Sequence, residues 1–254
     1  MKNKIPLYIT LVLLPVAVIL RALQYFTIID GEGFFEIATL GDAVIRAAVP
    51  VVFGLVAAVA FVICLCDKNT AQDVGGKSVG IAYIALGLVL ATESGVRASN
   101  LDYVSIFAIL AAIYLCLDGI FILTNHSRGK KTALFSVIVP LYYCFCGIHL
   151  FLTLFSKANA SYVRLDMLAV CAAAIMFITL SVSAVSDNVK RGRIKAAAMI
   201  SVLFSLTPVF SQVADLVQDV DITAVISALR NLVTGLVSLS VLISVCDKTD
   251  GAEE

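Results

Sequence analysis

Charged residues are scarce in this chain: Asp, Glu, Lys and Arg together make up 14% of its 254 residues, against roughly 25% in an ordinary soluble domain. Hydrophobic residues make up 61%, and a water-soluble core could not hide that much apolar surface. Acidic and basic residues are equal in number, so the formal net charge is zero. Bulk electrostatics therefore predicts no nucleic-acid or acidic partner.

Histidine is also scarce, and the motifs of common catalytic sites are missing. The two histidines, His126 and His149, are not at the H-x-x-x-H spacing of a helical zinc site. No Walker A, G-x-S-x-G or H-E-x-x-H motif is present, and no G-x-G-x-x-G opens a helix after a strand. We therefore expect no metal, no cofactor and no enzymatic activity. One enzymatic alternative stays open, an intramembrane enzyme acting on lipid, which would need His149 within about 3 Å of an acid.

The polar outer loops lack cysteine, so the sequence offers no structural disulfide of the secreted kind. All seven cysteines lie inside or at the edges of apolar runs, and we expect them to be buried free thiols. The pairs Cys64/Cys66 and Cys144/Cys146 look like metal sites. Residues two apart on a helix point in nearly opposite directions, however, so neither pair could hold one ion together.

The apolar residues come in runs of about twenty, the length that an α-helix needs to cross a hydrocarbon core of roughly 30 Å. The first run follows two lysines as in a signal peptide, but it contains Arg21 and has no small-residue exit, so we assign it as a membrane helix. The sequence predicts an all-α, polytopic membrane helix bundle, a single transmembrane domain over residues 1–254. Its eight predicted helices, arranged in four hairpins, span residues 5–26, 43–66, 79–96, 103–124, 132–155, 167–185, 196–213 and 224–246.

The distribution of lysine and arginine between the connecting segments predicts the orientation. The side that holds both termini is by far the richer in them, and by the positive-inside rule this side is cytoplasmic. We expect a multi-pass protein of the cell (plasma) membrane with cytoplasmic N- and C-termini. The residues on the cytoplasmic side are Lys2, Lys4, Lys68, Lys77, Arg128, Lys130, Lys131, Lys190, Arg191, Arg193, Lys195 and Lys248.

Polar segments on that side begin about every 60 residues, at Asp67, Asn125, Asp187 and Asp247. The interval indicates four hairpins in tandem. Any series of short-looped membrane hairpins would give a similar interval, so a true internal repeat stays open.

Ionisable residues form a belt near the extracytoplasmic ends of the predicted helices. An arginine at the centre of a membrane helix costs on the order of 3 kcal/mol, so such residues persist when they are paired or functional. Asp42 with Arg46, and Glu93 with Arg97, have the four-residue spacing of structural ion pairs; a ligand-binding role is the alternative. The remaining members of the belt are Arg21, Arg164, Arg230, Asp30, Glu32, Glu36, Asp102, Asp166, Asp215, Asp219 and Asp221.

Arg21 and Arg230 have no acid within a helical turn, so they need partners from other helices or from a ligand. Gln24 and Tyr25 share a helix face with Arg21 at spacings of three and four. We predict that the two arginines anchor a bound solute by charge, with Gln24 and Tyr25 as hydrogen-bonding groups.

Asp118 is the deepest acid of the sequence, about 9 Å inside the predicted cytoplasmic boundary. A carboxyl group at that depth must face the protein interior or be protonated. We predict a proton site there; the alternative is a structural acid hydrogen-bonded to Ser or Thr of neighbouring helices.

The segment after the first helix contains glycines that permit sharp turns and two adjacent phenylalanines. We predict that Asp30 to Glu36 folds back over the outer mouth of the bundle, the alternative being an interfacial loop whose phenylalanines dip into lipid. The residues Leu20-Arg21, Phe26-Thr27, Asp30 and Glu32-Gly33-Phe34-Phe35 resemble a segment of uncharacterised multi-pass bacterial membrane proteins. The resemblance covers residues 20–35 and implies that the outer loop is a shared feature of such proteins.

Together these features predict a protein of the lipid bilayer that binds or transports a small polar or anionic solute from the extracytoplasmic side. The alternative is a non-transporting membrane subunit, a sensor or scaffold, in which the charge belt only holds the helices in register. Its partner would be another membrane protein or a second copy of the chain.

Overall fold

The computed structural model describes residues 4–29, 39–70, 74–98, 102–125, 134–154, 161–186, 189–218 and 222–247. In chain order the helices are α1 (Ile5–Thr27), α2 (Leu40–Cys66), α3 (Lys77–Ala98), α4 (Tyr103–Leu123), α5 (Ile138–Leu154), α6 (Ser161–Val185), α7 (Arg191–Gln218) and α8 (Ile222–Asp247). A 3₁₀ turn, Phe135–Val137, leads directly into α5. The predicted all-α bundle is confirmed, and within the described ranges eight helical spans are long and apolar enough to cross a membrane.

The surface of α1 explains why the bundle belongs in a membrane. Thr10, Arg21 and Gln24 are buried, whereas Val12 and Ile19 are 65% and 59% exposed. A helix of a soluble protein has the opposite arrangement, with its apolar stripe buried against the core. Because the exposed faces of α1 and its neighbour α2 are both apolar, they face lipid. The chain is a multi-pass integral membrane protein.

Six of the helices form a closed ring. Each packs against the next, from α3 through α4, α5, α6 and α7 to α8, and α8 packs back on α3. The hairpin α1–α2 lies outside this ring and packs mainly against α7. Since α7 and α8 have neighbours on several sides, they are the most buried of the spans.

Small residues let α3 and α4 approach closely. A Cβ atom at Gly119 would lie 2.6 Å from the carbonyl oxygen of Gly80, and one at Gly87 would lie 2.9 Å from that of Ala112. Lipid tails are as apolar as leucine, so close packing of this kind is a main source of helix association in membranes. The glycines therefore fix the position of α3, which carries Glu93.

One end of the bundle, which we call the terminal end, carries the start of α1 and the end of α8. Lys4 Nζ lies 3.0 Å from Asp247 Oδ1 there. At the same end Lys195 Nζ lies 2.7 Å from Asp67 Oδ2, and the Lys195 side chain is only 2% exposed. The first turn of α7 is therefore held by the segment after α2. A hydropathy count stops at charged residues, which is why the predicted span 196–213 begins later than the helix.

The seven cysteines are free thiols. The prediction that they are buried is correct for Cys146 and Cys246 but wrong for Cys66, Cys144 and Cys171, which are exposed on the apolar outer surface. A thiol behaves as a small hydrophobic group, so lipid solvates it without cost.

Candidate functional site

The end opposite the terminal end, which we call the arginine end, carries three neighbouring polar clusters. The first, which we call the carboxylate cluster, joins α3, α4, α5 and α8. The second, the amide cluster, joins α6, α7 and α8. The third, the hairpin cluster, attaches α1 and α2 to α7.

Glu93 is the centre of the carboxylate cluster. Its Oε1 accepts hydrogen bonds from Arg97 Nε at 2.9 Å and from Arg230 Nη1 at 3.0 Å, and its Oε2 accepts one from Tyr142 Oη at 2.5 Å. The Glu93 and Arg230 side chains are each 2% exposed. A carboxylate so completely desolvated is stable only with strong partners such as these. Arg97 continues the network to Asp102, donating from Nη1 to Oδ2 at 3.0 Å.

Arg230 uses only part of its guanidinium group. Nη1 donates to Glu93 and lies 4.0 Å from Cys146 Sγ, but the buried Nε has no hydrogen-bond partner among the described residues. A buried donor without an acceptor costs about 1–3 kcal/mol. Native proteins rarely tolerate this cost without a reason, and the Nε edge of an arginine pairs well with a planar carboxylate. This edge is therefore the sharpest indication of a ligand position.

The amide cluster is centred on Asp166. Its Oδ1 accepts hydrogen bonds from Asn231 Nδ2 at 2.9 Å and from Gln212 Nε2 at 2.5 Å. Asp166 also lies close enough to Arg230 and Arg21 to interact electrostatically with both. The sequence placed Asp166 in the belt but did not select Gln212 or Asn231 as site residues, because neither lies three or four residues from an arginine, the spacing that selected Gln24. Asn231 follows Arg230 directly, and that adjacency is the one signal that could have found it.

The hairpin cluster contains two of the predicted ligand-binding residues. Arg21 donates from Nε to Ser211 Oγ at 3.3 Å and from Nη1 to Gln24 Oε1, also at 3.3 Å. Gln24 Nε2 donates in turn to the carbonyl oxygens of Ile45 at 3.0 Å and Arg46 at 3.1 Å. The structure thus brings Arg21 and Gln24 together, at the junction between the hairpin and the ring.

Tyr25 and Asp42 occupy the edge of the hairpin cluster. Tyr25 is half-buried, and its ring packs edge-on against Phe26 with 5.4 Å between centroids. Asp42 closes a capping box at the start of α2: it accepts the Thr39 N–H at 2.7 Å, while Thr39 Oγ1 accepts the Asp42 N–H at 3.2 Å. Of the two predicted ion pairs, Glu93 with Arg97 is therefore seen directly, whereas Asp42 has a capping role and its pairing with Arg46 stays a prediction.

Hydroxyl groups continue from the carboxylate cluster towards the middle of the ring. Tyr143 Oη lies 2.6 Å from Thr234 Oγ1, one turn of α8 below Arg230. A further turn along, Ser238 Oγ donates to Ser201 Oγ of α7 at 2.8 Å. Ser205 Oγ, one turn from Ser201 on α7, is buried and has no hydrogen-bond partner among the described residues.

Asp118 lies in a separate small pocket inside the ring. Its lining is half polar, with Asp118, Tyr83, Tyr114, Ser136 and Ser181, and half apolar. Asp118 is 4% exposed and sits on α4 about 24 Å along the helix from Asp102. The structure therefore does not bring Asp118 together with Arg21 or Arg230.

Asp102 caps α4 just outside the membrane-spanning segment, and its Oδ1 accepts the Val104 N–H at 3.1 Å. Burial raises the pKa of Asp102, but the hydrogen bonds from Val104 and Arg97 and nearby positive charge outweigh burial, so the pKa lies below its ordinary value. His149 Nδ1 lies 3.9 Å from Asp102 Oδ2, which is longer than the 2.6–3.2 Å reach expected of an acid–base pair.

Part of the predicted belt lies outside the described residues. This applies to the loop from Asp30 to Glu36, with its predicted fold over the outer mouth, and to Asp219 and Asp221. Of the resemblance segment 20–35, only residues 30–35 are outside the description. The side chains of Arg164 and Asp215 are likewise outside the description.

Comparison of the chain with protein-family profiles, with curated proteins and with solved structures finds no match. The function is therefore argued from the chain's own residues.

Proposed function

We propose that the protein binds a small polar or anionic solute at its arginine end and moves it through the interior of the ring formed by α3 to α8. The arginine end faces the extracytoplasmic side of the cell membrane, and both termini are cytoplasmic, as the lysine and arginine distribution favours. The observation that carries the proposal is Arg230, a fully buried arginine inside the ring whose Nε edge has no protein acceptor among the described residues.

The hydroxyl groups below Arg230 support movement of the solute as well as binding. Thr234, Ser238 and Ser201 follow one another along the facing surfaces of α7 and α8. Ser and Thr hydroxyl groups inside a membrane bundle hydrogen-bond across helices, and in the proposed pathway they offer hydrogen-bonding groups to a polar solute. Asp118, in the pocket nearer the terminal end, is proposed as a proton site on the inner half of this pathway.

Arg21, Gln24 and Tyr25 are proposed as a second binding element at the edge of the ring. The Asp166 carboxylate lies near both arginines, so a solute bound at Arg230 comes within electrostatic range of Arg21. This arrangement gives the solute one anchor inside the ring and a weaker one outside it.

The proposal is tested by binding of sodium nitrate, acetate, lactate and phosphate to the detergent-purified protein, measured by calorimetry. Arg230→Lys keeps a positive charge beside Glu93 but removes the Nε edge, and we expect at least a tenfold loss of affinity. Arg46→Lys, outside the ring, is the matched control and should bind as the wild type does. Equal binding by the wild type and Arg230→Lys, or no binding of any probe, would contradict the proposal.

A non-transporting subunit or scaffold is the second candidate, favoured by the number of protein donors on Glu93. Two guanidinium groups and one phenol already satisfy that carboxylate, as expected if the network only fixes helix positions. Both candidates predict a lower melting temperature for Arg230→Gln, because that variant leaves Glu93 without its partner on α8. The scaffold predicts in addition that Arg21→Gln lowers the melting temperature severely and that no probe anion raises the melting temperature of the wild type. A ligand site predicts that a bound anion raises the melting temperature of the wild type.

A further inference from the structure

We infer that the solute is a small carboxylate and that Glu93 takes up a proton when it binds, so that the carboxylate and the proton enter the protein together. The inference rests on the proposed function and names the class of its substrate. It also assigns Glu93 a part beyond its helical ion pair with Arg97.

The free edge of Arg230 favours a carboxylate. A guanidinium group presents parallel N–H donors in a fixed plane, and a carboxylate accepts two of them at once. Glu93 Oε1 already accepts one hydrogen bond from Nη1, so a carboxylate oxygen can approach this guanidinium group. A second carboxylate at the Nε edge would satisfy the one guanidinium nitrogen that is buried without a partner among the described residues.

The charge of the site requires compensation when an anion arrives. In the carboxylate cluster, two positive side chains, Arg97 and Arg230, face two negative ones, Glu93 and Asp102. The groups packed around Glu93 from other helices are Tyr142, Tyr143 and Cys146 of α5, which are neutral at neutral pH, and Asp166 of α6 near Arg230. A further negative charge would be unbalanced in a desolvated site, where an unpaired charge is strongly unfavourable.

Glu93 is the acid whose partners change when the solute binds. Arg97 keeps Asp102 as its partner at 3.0 Å, and Asp166 keeps its two amide donors. Arg230, in contrast, gains the solute carboxylate at its Nε edge, so that one positive charge then faces two carboxylates. A proton released by the buffer then adds to a Glu93 oxygen, giving a neutral carboxylic acid. Arg230 stays protonated and is balanced by the solute, so one anion and one proton have been added and the net charge is unchanged.

The experiment measures proton uptake during binding of sodium acetate and sodium lactate to the detergent-purified protein, by calorimetry in two buffers of different ionisation enthalpy. We expect about one proton per bound carboxylate and an affinity that falls about tenfold for each unit of rising pH. Glu93→Gln, which is neutral already, should bind the carboxylate without proton uptake and with little dependence on pH. Glu93→Asp keeps a carboxyl group and should retain proton uptake. It is the variant to measure if Glu93→Gln does not fold.

The outcomes separate this inference from the proposed function. Carboxylate binding without proton uptake by the wild type, or continued uptake by Glu93→Gln, would overturn the assignment of the proton to Glu93. Binding of nitrate or phosphate but of neither carboxylate would overturn the substrate class and leave the proposed function in place. Equal binding by the wild type and Arg230→Lys would overturn both.

Discussion

The pair formed by Glu93 and Arg230 gives the sharpest test of how the ring is held together. The two side chains come from α3 and α8, where the ring closes, and each is 2% exposed. Removing one partner of a buried ion pair leaves an uncompensated charge and typically costs 3–5 kcal/mol. We therefore expect Glu93→Gln and Arg230→Gln each to lower the melting temperature in detergent by on the order of 10 °C.

The double variant tests whether the losses of the two single variants come from the same ion pair. With both residues replaced by glutamine, no charge of the pair remains buried, and Arg97 still has Asp102. The single losses come from the uncompensated buried charge, which the double variant no longer has, so the double variant should regain most of the loss. A double-mutant cycle should give a coupling of at least about 2 kcal/mol. Strictly additive losses, or single losses below about 1 kcal/mol, would refute the view that a desolvated ion pair closes the ring.

Three further predictions concern other parts of the fold. Asp67→Asn leaves Lys195, whose side chain is 2% exposed, without its carboxylate and should cost about 3–5 kcal/mol of unfolding free energy. Lys4→Met breaks an exposed pair and should cost less than about 1 kcal/mol. Equal melting temperatures of the two variants would contradict this prediction. Gly119→Ala forces a Cβ to 2.6 Å from a backbone oxygen of α3 and should cost about 1–3 kcal/mol, while Gly95→Ala, with nothing within 4 Å, should not destabilise. The pKa of Asp102 is lowered in the folded protein, so the ionised carboxylate stabilises the fold fully above its ordinary pKa of about 4, and this stabilisation is lost as pH falls through the lower folded pKa. Asp102→Asn should therefore make the melting temperature depend less on pH below about 4. An unchanged pH profile would contradict the role given to Asp102.

The fold was predictable because its main signals are local. Helix length, apolar content and the polar residues between the apolar runs are all properties of the local sequence. In the bilayer a run of about twenty apolar residues satisfies its backbone hydrogen bonds by forming an α-helix. The ends of helices were less predictable. The first turn of α7 contains Lys195, whose charge ends a hydropathy window, and only the distant Asp67 makes its burial possible.

The candidate site was predictable in its members but not in its pairings. Arginines without a local acid were the correct signal that Arg230 needed a partner, and the four-residue spacing predicted the contact of Glu93 with Arg97. The same spacing hid the second role of Glu93, because an acid with a local partner appears satisfied. Its contact with Arg230 spans 137 positions of sequence, and such a contact depends on the order in which helices pack around the ring.

The structure gives different surroundings to Arg21 and Arg230, for which the sequence predicts the same role. Arg230 lies inside the closed ring, where its buried Nε has no acceptor within the described part of the chain. Arg21 lies on the hairpin outside the ring, and its nearest hydrogen-bonding groups include the neutral side chains of Ser211 and Gln24. Gln24 in turn holds the backbone of α2, so this arginine helps to attach the hairpin to α7. In the proposed pathway through the ring a solute meets Arg230 directly, whereas α7 stands between the ring interior and the hairpin that carries Arg21.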